Sequence, residues 1–464
     1  MIGFVLPGGE FEYDARGLLM SFFPGEEFIM NPSEGEADMT IALPEISGEG
    51  DKNKRKNIFK RRLYDKLSGM TGRTLPWGTL TGIRPVRIVS DLLKAGYSPE
   101  EAAAIFSCEY YVSPEKTALS VDIAMRERTA LAGMNLNSGY SLYVGIPFCP
   151  TRCLYCSFTS YPAGAWQGRM EDYLDCLFRE IEWTAGRFSS PPDTVYIGGG
   201  TPTALPPALL DRLLDRLCSS FDLGRGQEFT VEAGRPDSID AEKLDVLRKY
   251  PVNRISVNPQ TMSQATLDRI GRRHTVSDTI DAYLLARDKG FDNINMDIII
   301  GLPGEGTAEV ADTLRRIEEL SPDSLTVHAL AVKRASRLKM EAKGKVTAGG
   351  TQAELEEMMK EASASAASIG LKPYYLYRQK NTAGNLENVG YAREGKLCLY
   401  NIVNMEEVQT VVALGAGTVT KAVWQDGRIE RCDNVKDIIL YMGSIEGQIA
   451  RKEKLLSGVR NITV

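Results

Sequence analysis

From Ser141 onward the sequence predicts an α/β fold: a parallel sheet curled into a partial TIM-type (β/α)6 barrel. Two observations carry this expectation. Six short β-rich runs, Ser141–Ile146, Thr194–Ile197, Glu228–Glu232, Arg254–Val257, Asn293–Ile300 and Ser324–Leu330, alternate with longer amphipathic runs. Strand–helix units in series build parallel sheets. Within the longer runs, Leu174, Leu177, Phe178 and Ile181 recur at helical spacing, as do Leu209, Leu210, Leu213, Leu214 and Leu217. An open doubly wound sheet produces the same pattern, and the pattern alone does not separate the two.

An N-terminal α+β domain is expected over 1–135. It opens on a strand-like stretch punctuated by glycine. The basic run Lys52–Arg62 reads as a solvated helix face. The turn-rich stretch Trp77–Pro85 precedes a helix near Val86–Ala95, and helical periodicity continues through Glu100–Leu131. Asn135–Gly139 reads as a linker. The barrel then spans 136–370, ending on a helix at Gln352–Ile369. A C-terminal extension, 371–464, begins with a strand at Pro373–Tyr377 and continues as short strands and loops. No solenoid repeat or low-complexity tract interrupts the chain.

Composition narrows the function classes. Over 464 residues, 43% hydrophobic and 25% charged is an ordinary globular balance. The net charge of -6 gives no electrostatic case for nucleic acid. Apolar runs such as Met296–Leu302 are strand-sized, short of the roughly 20 residues of a membrane span. Met1–Pro7 is apolar but lacks a basic flank, so it does not read as a signal peptide, and the cytoplasm is expected. With only His274 and His328 available, a site built from several imidazoles is excluded.

Three of the eight cysteines, Cys149, Cys153 and Cys156, cluster in a C-x3-C-x2-C spacing. The others, Cys108, Cys176, Cys218, Cys398 and Cys432, are isolated and read as inert thiols. One tight cluster in a large chain points to metal or redox chemistry rather than disulfides. Three thiolates can hold three corners of a [4Fe–4S] cubane and leave one iron open. S-adenosylmethionine (SAM) can fill such a position through its amino and carboxylate groups. Zinc would require a fourth ligand, usually from a second Cys pair, which the sequence lacks.

The strand ends carry further polar residues, and barrel chemistry sits at those ends. The second strand runs into Gly198, Gly199, Gly200 and Thr201, where missing side chains let a ligand approach the backbone. The third ends at Glu232, an acceptor for an ammonium or a ribose hydroxyl. The fourth leads to Gln260, another ribose partner, and then to Arg272, which can pair with a carboxylate. Asp297 interrupts an apolar fifth strand and requires a partner. The alternative for each is a satisfied structural group.

These motifs together resemble the oxygen-independent coproporphyrinogen III oxidase-like branch of the radical SAM superfamily, HemZ type. They are WGTLTGIRP at Trp77–Pro85, GIPFCPTRCLYC at Gly145–Cys156, GGGTPT at Gly198–Thr203 and VEAGRPD at Val231–Asp237. Also matching are GRRHT at Gly271–Thr275, NMDIIIGLPGEG at Asn295–Gly306, LTVHAL at Leu325–Leu330, and the stretch Tyr374–Tyr391. The resemblance implies a radical SAM barrel with a [4Fe–4S] cluster on Cys149, Cys153 and Cys156. It implies SAM contacts from Tyr143, Tyr155, Gly198, Gly199, Gly200, Thr201, Glu232, Gln260, Arg272 and Asp297. It implies conversion of coproporphyrinogen III to protoporphyrinogen IX, with a low-potential electron donor such as flavodoxin or ferredoxin. A tetrapyrrole bears several carboxylates, for which Arg152, Arg378 and Lys380 are the candidate cations. Tyr374, Tyr375 and Tyr377 could line a flat pocket or pack in the core. His328 could reach haem or substrate, or serve as a satisfied core histidine.

One position departs from the family's best-known oxidases. They carry a further Cys two residues after the third thiol, where this chain has Phe158. Relatives with Phe there include haem-binding, chaperone-like proteins. The alternatives are therefore a haem carrier without oxidase activity, or a radical SAM enzyme acting on the haem ring.

Overall fold

A computed structural model describes residues 1–7, 9–46, 51–331, 336–338, 349–379 and 386–458. The chain divides into two compact units, Met1–Arg126 and Glu127–Val464. The first holds a three-stranded parallel sheet: β1 (Ile2–Val5) lies between β2 (Phe28–Met30) and β3 (Met39–Ala42). Phe4 and Ile41 from the sheet pack with Leu18, Leu19 and Phe22 of helix Glu12–Phe22. Phe59, Leu63 and Leu67 of helix Lys52–Thr71 complete that core. The basic run lies on this second helix. Arg55 and Arg61 form ion pairs with Glu10 and Glu109. Lys60 is an exception to the expected solvated face, because it is buried near Thr81 and Asp14. The expected helical stretch Glu100–Leu131 is two helices, Pro99–Tyr110 and Pro114–Leu131. Tyr111 turns left-handed (φ 59°), and Pro114 supplies no N–H to continue the first helix.

The second unit is built on one large sheet. Its central strands are β4 (Tyr140–Ile146), β7 (Thr194–Gly199), β8 (Glu228–Gly234), β9 (Arg254–Val257), β10 (Ile294–Ile300) and β11 (Ser324–Ala329). A short ladder, β5 (Phe148–Cys149) with β6 (Tyr161–Pro162), stands apart from the sheet. The six central strands are parallel neighbours in chain order. A doubly wound sheet would reverse that order at a switch point. The crossover helices are Met170–Arg187, Pro207–Ser220, Ala241–Arg248, Val276–Asp288 and Thr307–Leu320.

Five later strands extend both edges. β12 (Lys372–Arg378) and β13 (Glu387–Ala392) add antiparallel beside β11, in the order β12-β13-β11. On the other side β14 (Thr410–Leu414) runs parallel to β4, followed by antiparallel β15 (Val419–Val423) and β16 (Ile429–Asp433). Residues 371–464 also contain helices Leu399–Glu406, Ile438–Gly443 and Ile445–Leu456, which strand-and-loop texture does not anticipate.

Period-two alternation gives the central sheet two different faces. Leu142, Val144, Ile197, Val231, Ile255 and Ile298 are fully buried on the face covered by the crossover helices. Leu210, Leu213, Leu214 and Leu217 on helix Pro207–Ser220 are buried as well, each contributing about 1.5–3 kcal/mol by leaving water. The other face carries Tyr143, Tyr196, Glu232, Arg254, Asp297 and His328, and it is concave. Tyr196 on β7 and Tyr375 on β12 belong to one apolar cluster with Tyr400. In a flat sheet six strand steps would separate β7 from β12 by about 29 Å. Helix Leu399–Glu406 spans that interior and touches both strands. The Glu228 carboxylate caps this helix, accepting from the Leu399 N–H at 2.5 Å and the Tyr400 N–H at 3.3 Å. The sheet is therefore a curled α/β wall with its parallel strand ends gathered at one mouth.

Candidate cofactor site at the strand ends

The cysteine loop leaves the end of β4 and is fastened along its length. The Tyr161 N–H bonds the Pro147 carbonyl at 2.8 Å, closing the loop at its base. The Leu154 N–H reaches the Ile270 carbonyl at 3.0 Å, and the Thr151 hydroxyl reaches the Gly271 carbonyl at 3.4 Å. Each sulfur faces a donor. The Thr201 hydroxyl stands 3.5 Å from Cys149 Sγ, and Arg235 Nη1 stands 3.8 Å from Cys153 Sγ. The Phe158 backbone N–H serves Cys156. Burial raises the Cys149 thiol and pushes the Cys156 thiol up to about 11. A bound metal would therefore have to displace the protons.

The glycine run packs directly on this loop. The Gly200 N–H bonds the Ile146 carbonyl and the Thr201 N–H bonds the Phe148 carbonyl, both at 2.7 Å. A Cβ on Gly200 would sit 2.5 Å from the Phe148 carbonyl oxygen, and one on Gly198 would sit 2.9 Å from Glu232 Oε2. Gly199 occupies φ +105°, which L side chains rarely adopt. The run thus supports the cysteine loop as well as leaving its backbone open.

Glu232 lies opposite, accepting a 2.5 Å hydrogen bond from the Tyr196 hydroxyl. Burial, and the Asp297 charge nearby, push its carboxyl up to about 7 against the pull of that bond. Asp297 behaves differently. Burial opposes its ionisation, but His328, Asn295 and Thr326 outweigh it and hold the carboxyl below its usual value. His328 Nε2 stands 3.8 Å from Asp297 Oδ2, and Asn295 Nδ2 donates to Asp297 Oδ1 at 2.7 Å. His328 Nδ1 in turn lies 3.3 Å from the Tyr377 hydroxyl. Two adjacent carboxyls thus have environments that push them apart.

Gln260 takes a left-handed backbone (φ 68°), unusual for a residue with a side chain. The turn is enforced by β10: the Gln260 N–H donates to the Asp297 carbonyl, and its own carbonyl accepts from Ile299, both at 2.9 Å. Its Oε1 is buried without a hydrogen-bond partner. Arg272, 3% exposed, donates to the Pro259 carbonyl at 3.1 Å and leaves Nε without a partner. Buried polar atoms of this kind ordinarily mark a place for a ligand or water. Tyr155 packs against Ile270, Ile299, Leu302 and Leu330. Burial, with Cys153 adding to it, raises its phenol well above the usual value. Tyr143 packs beside the stacked pair Tyr196 and Tyr400, with centroids 6.1 and 5.8 Å away, the pair itself being 4.5 Å apart.

The structure therefore gathers the three cysteines, Gly198–Thr201, Tyr143, Tyr155, Glu232, Gln260, Arg272 and Asp297 around the strand ends. Arg152 remains in the cysteine loop with its charge beside Cys156. Arg378 is buried beside Glu387, and burial pushes its guanidinium down to about 10. Strand alternation puts it on the face opposite Tyr377. Lys380 lies outside the described residues. Sequence reasoning missed Tyr196 and the pair Arg235–Asp237. Tyr196 is two residues before Gly198, so period-two alternation could have placed it on the concave face. Arg235 and Asp237 are an i, i+2 charge pair just past a strand end.

A family model described as the radical SAM superfamily matches residues 143–317, from within β4 to within helix Thr307–Leu320. The oxygen-independent coproporphyrinogen-III oxidase-like protein HemZ of Bacillus subtilis is 40% identical over 465 residues, covering 94% of this chain and 92% of that one. The chain belongs to this radical SAM family. The heme chaperone HemW of the same organism is 36% identical over 197 residues, covering 41% of this chain and 50% of that protein. Among solved structures, Escherichia coli coproporphyrinogen III oxidase HemN, described as a radical SAM enzyme, aligns with a TM-score of 0.54. It is 22% identical and covers 70% of this chain and 73% of that one, a likeness of fold. Radical SAM proteins use a [4Fe–4S] cluster and SAM.

The residues fit these groups. Among the described residues no three Cys, His, Asp or Glu side chains converge as they would on a single ion. A cubane instead needs thiolates spread around its corners and hydrogen-bonded at sulfur. The donors on all three sulfurs, and the partnerless Gln260 Oε1 and Arg272 Nε, suit a cluster with a polar organic ligand beside it.

Proposed function

We propose that this chain is a radical SAM oxidase of porphyrinogen propionates, converting coproporphyrinogen III to protoporphyrinogen IX without oxygen. The observation that carries the reading is one loop bearing three thiols, each with a donor at its sulfur, packed on a glycine run beside two unlike carboxyls at one mouth of the sheet. When bound, the cluster and SAM supply a 5′-deoxyadenosyl radical able to take a hydrogen atom from a propionate β-carbon. Loss of the carboxyl group as CO2 and of one electron to an external acceptor then leaves a vinyl group. Two propionates react in this way.

In this reading Cys149, Cys153 and Cys156 hold three irons and leave the fourth for SAM. Gly198–Thr201 offers its backbone to the methionine end. Glu232 accepts from the amino group, which would hold the carboxyl ionised at neutral pH. Arg272 pairs with the carboxylate. Gln260 and Asp297 take the ribose hydroxyls, and Tyr143 and Tyr155 wall the nucleoside from water. Arg152, in the cysteine loop, is the candidate cation for a substrate carboxylate.

A second reading, a haem-carrying chaperone, is favoured by Phe158, which is 66% exposed beside the cysteine loop. The partial match to HemW is consistent with it. One anaerobic experiment separates them. The reconstituted chain is given SAM, a reductant and coproporphyrinogen III, and 5′-deoxyadenosine, CO2 and the divinyl product are measured. The oxidase reading expects all three. Deoxyadenosine without decarboxylation contradicts it, and stoichiometric haem binding without turnover supports the carrier.

A further inference from the structure

Beyond the thiols themselves, a buried cation is built into the fold beside the loop. Arg235 lies just past the end of β8 and is 4% exposed. Its guanidinium is held from two sides. Nε and Nη2 form a fork with Asp237, at 2.9 and 2.5 Å. Nη1 bonds both the carbonyl and the hydroxyl of Thr151 at 2.8 Å and points to Cys153 Sγ at 3.8 Å. Asp237 is only partly exposed, and His274 Nδ1 stands 3.9 Å from its Oδ1. His274 is itself buried, with no hydrogen-bond partner at either nitrogen. Its pKa is pushed down to about 4 by burial and by Arg272, so it adds no charge at neutral pH.

We propose that Arg235, locked by Asp237, is a positioning residue that fastens the loop at Cys153 and raises the reduction potential of the cluster there. Holding and tuning follow from different parts of the same group. A planar fork can satisfy Asp237 and Thr151 together, which a lysine ammonium cannot do. A cation donating to a ligand sulfur favours the more negative, reduced cluster, since charge and hydrogen bonds at sulfur set such potentials. Asp237 opposes part of that charge while fixing its direction.

The inference rests on the cluster assignment, so it is tested with and without a cluster. In the cluster-free full chain, hydrogen exchange of amides 151–156 should be several-fold faster in Arg235→Lys and Asp237→Asn than in the wild type. In the reconstituted chain, potentiometric titration followed by electron paramagnetic resonance should show opposite shifts in two variants. Arg235→Gln should lower the reduced-to-oxidised ratio at a fixed potential about tenfold, equal to about 59 mV for one electron. Asp237→Asn should raise it. A merely structural lesion would not give opposite signs. Unchanged exchange in both variants overturns the fastening role, and shifts of the same sign, or none, overturn the tuning role. If Arg235→Gln takes up no iron, the direction of the Asp237→Asn shift decides. A wild-type chain that binds no iron would defeat the cluster assignment instead, leaving the exchange result to judge the clamp.

Discussion

The Glu232 carboxyl takes its character from burial and from Tyr196 and the Gly199 amide of β7 and Asp297 of β10. In the ligand-free chain its pKa of about 7 leaves it largely protonated below neutrality. An ammonium ligand needs the ionised form. SAM affinity should therefore fall about tenfold per pH unit below 7, as the carboxyl protonates. Anaerobic calorimetry from pH 5.5 to 8 measures this. Glu232→Gln should bind more weakly and lose the dependence; an unaltered pH profile in that variant would assign the titration elsewhere. Glu232, Gln260 and Asp297 are legible in the sequence because each is a polar residue within or just past an apolar strand run, and Arg272 because it follows Gln260 in the Gly271–Thr275 motif. Tyr196 and Arg235 are not, because their meaning depends on what faces them across the fold. Arg378 reads as an available cation, yet it is spent beside Glu387 in the sheet.

At the scale of elements, the cysteine loop and the glycine run behave as one piece, zipped by the Gly200 and Thr201 amides. The approach is closest at Gly200, where a methyl group would press on the Phe148 and Ile146 carbonyl oxygens. Gly200→Ala should cost about 1–3 kcal/mol, the usual range for overpacking, and should reduce iron retention after reconstitution. Thermal unfolding and iron analysis check both, and wild-type values of both would show that the zipper tolerates a side chain. The six central strands are legible to within one or two residues, because β-branched runs bounded by turns carry their own signal. The pairing of β13 with β11 and of β14 with β4 is not, since no local pattern names a partner so distant in the chain. The break at Tyr111–Pro114 is a case where a single proline overrides a continuous helical periodicity.

Across the larger unit, a buried charge ties the C-terminal strands to the sheet. Glu180, on helix Met170–Arg187, is fully buried and bonded to Lys452, which is equally buried. It also accepts from the Gly415 N–H, Asn434 and the Tyr441 hydroxyl, at 2.7, 2.9 and 2.6 Å. Removing one partner leaves an uncompensated charge in a dry site. Lys452→Met should destabilise the unit by about 3 kcal/mol, read from urea midpoints. A loss below about 1 kcal/mol would mean that the remaining donors suffice for Glu180. Among the described residues no helix is long and apolar enough to cross a membrane. The curl itself is not written in the strands. Helix Leu399–Glu406, capped by Glu228, touches both β7 and β12 on the concave face.

The central claim is that the loop at Cys149, Cys153 and Cys156 holds a cluster with one iron left open to SAM. Electron paramagnetic resonance of the reduced, reconstituted chain tests it most directly. A [4Fe–4S] signal should appear, change when SAM is added, and disappear in Cys149→Ala, Cys153→Ala and Cys156→Ala. A signal that ignores SAM, or that survives intact in all three variants, would contradict the account.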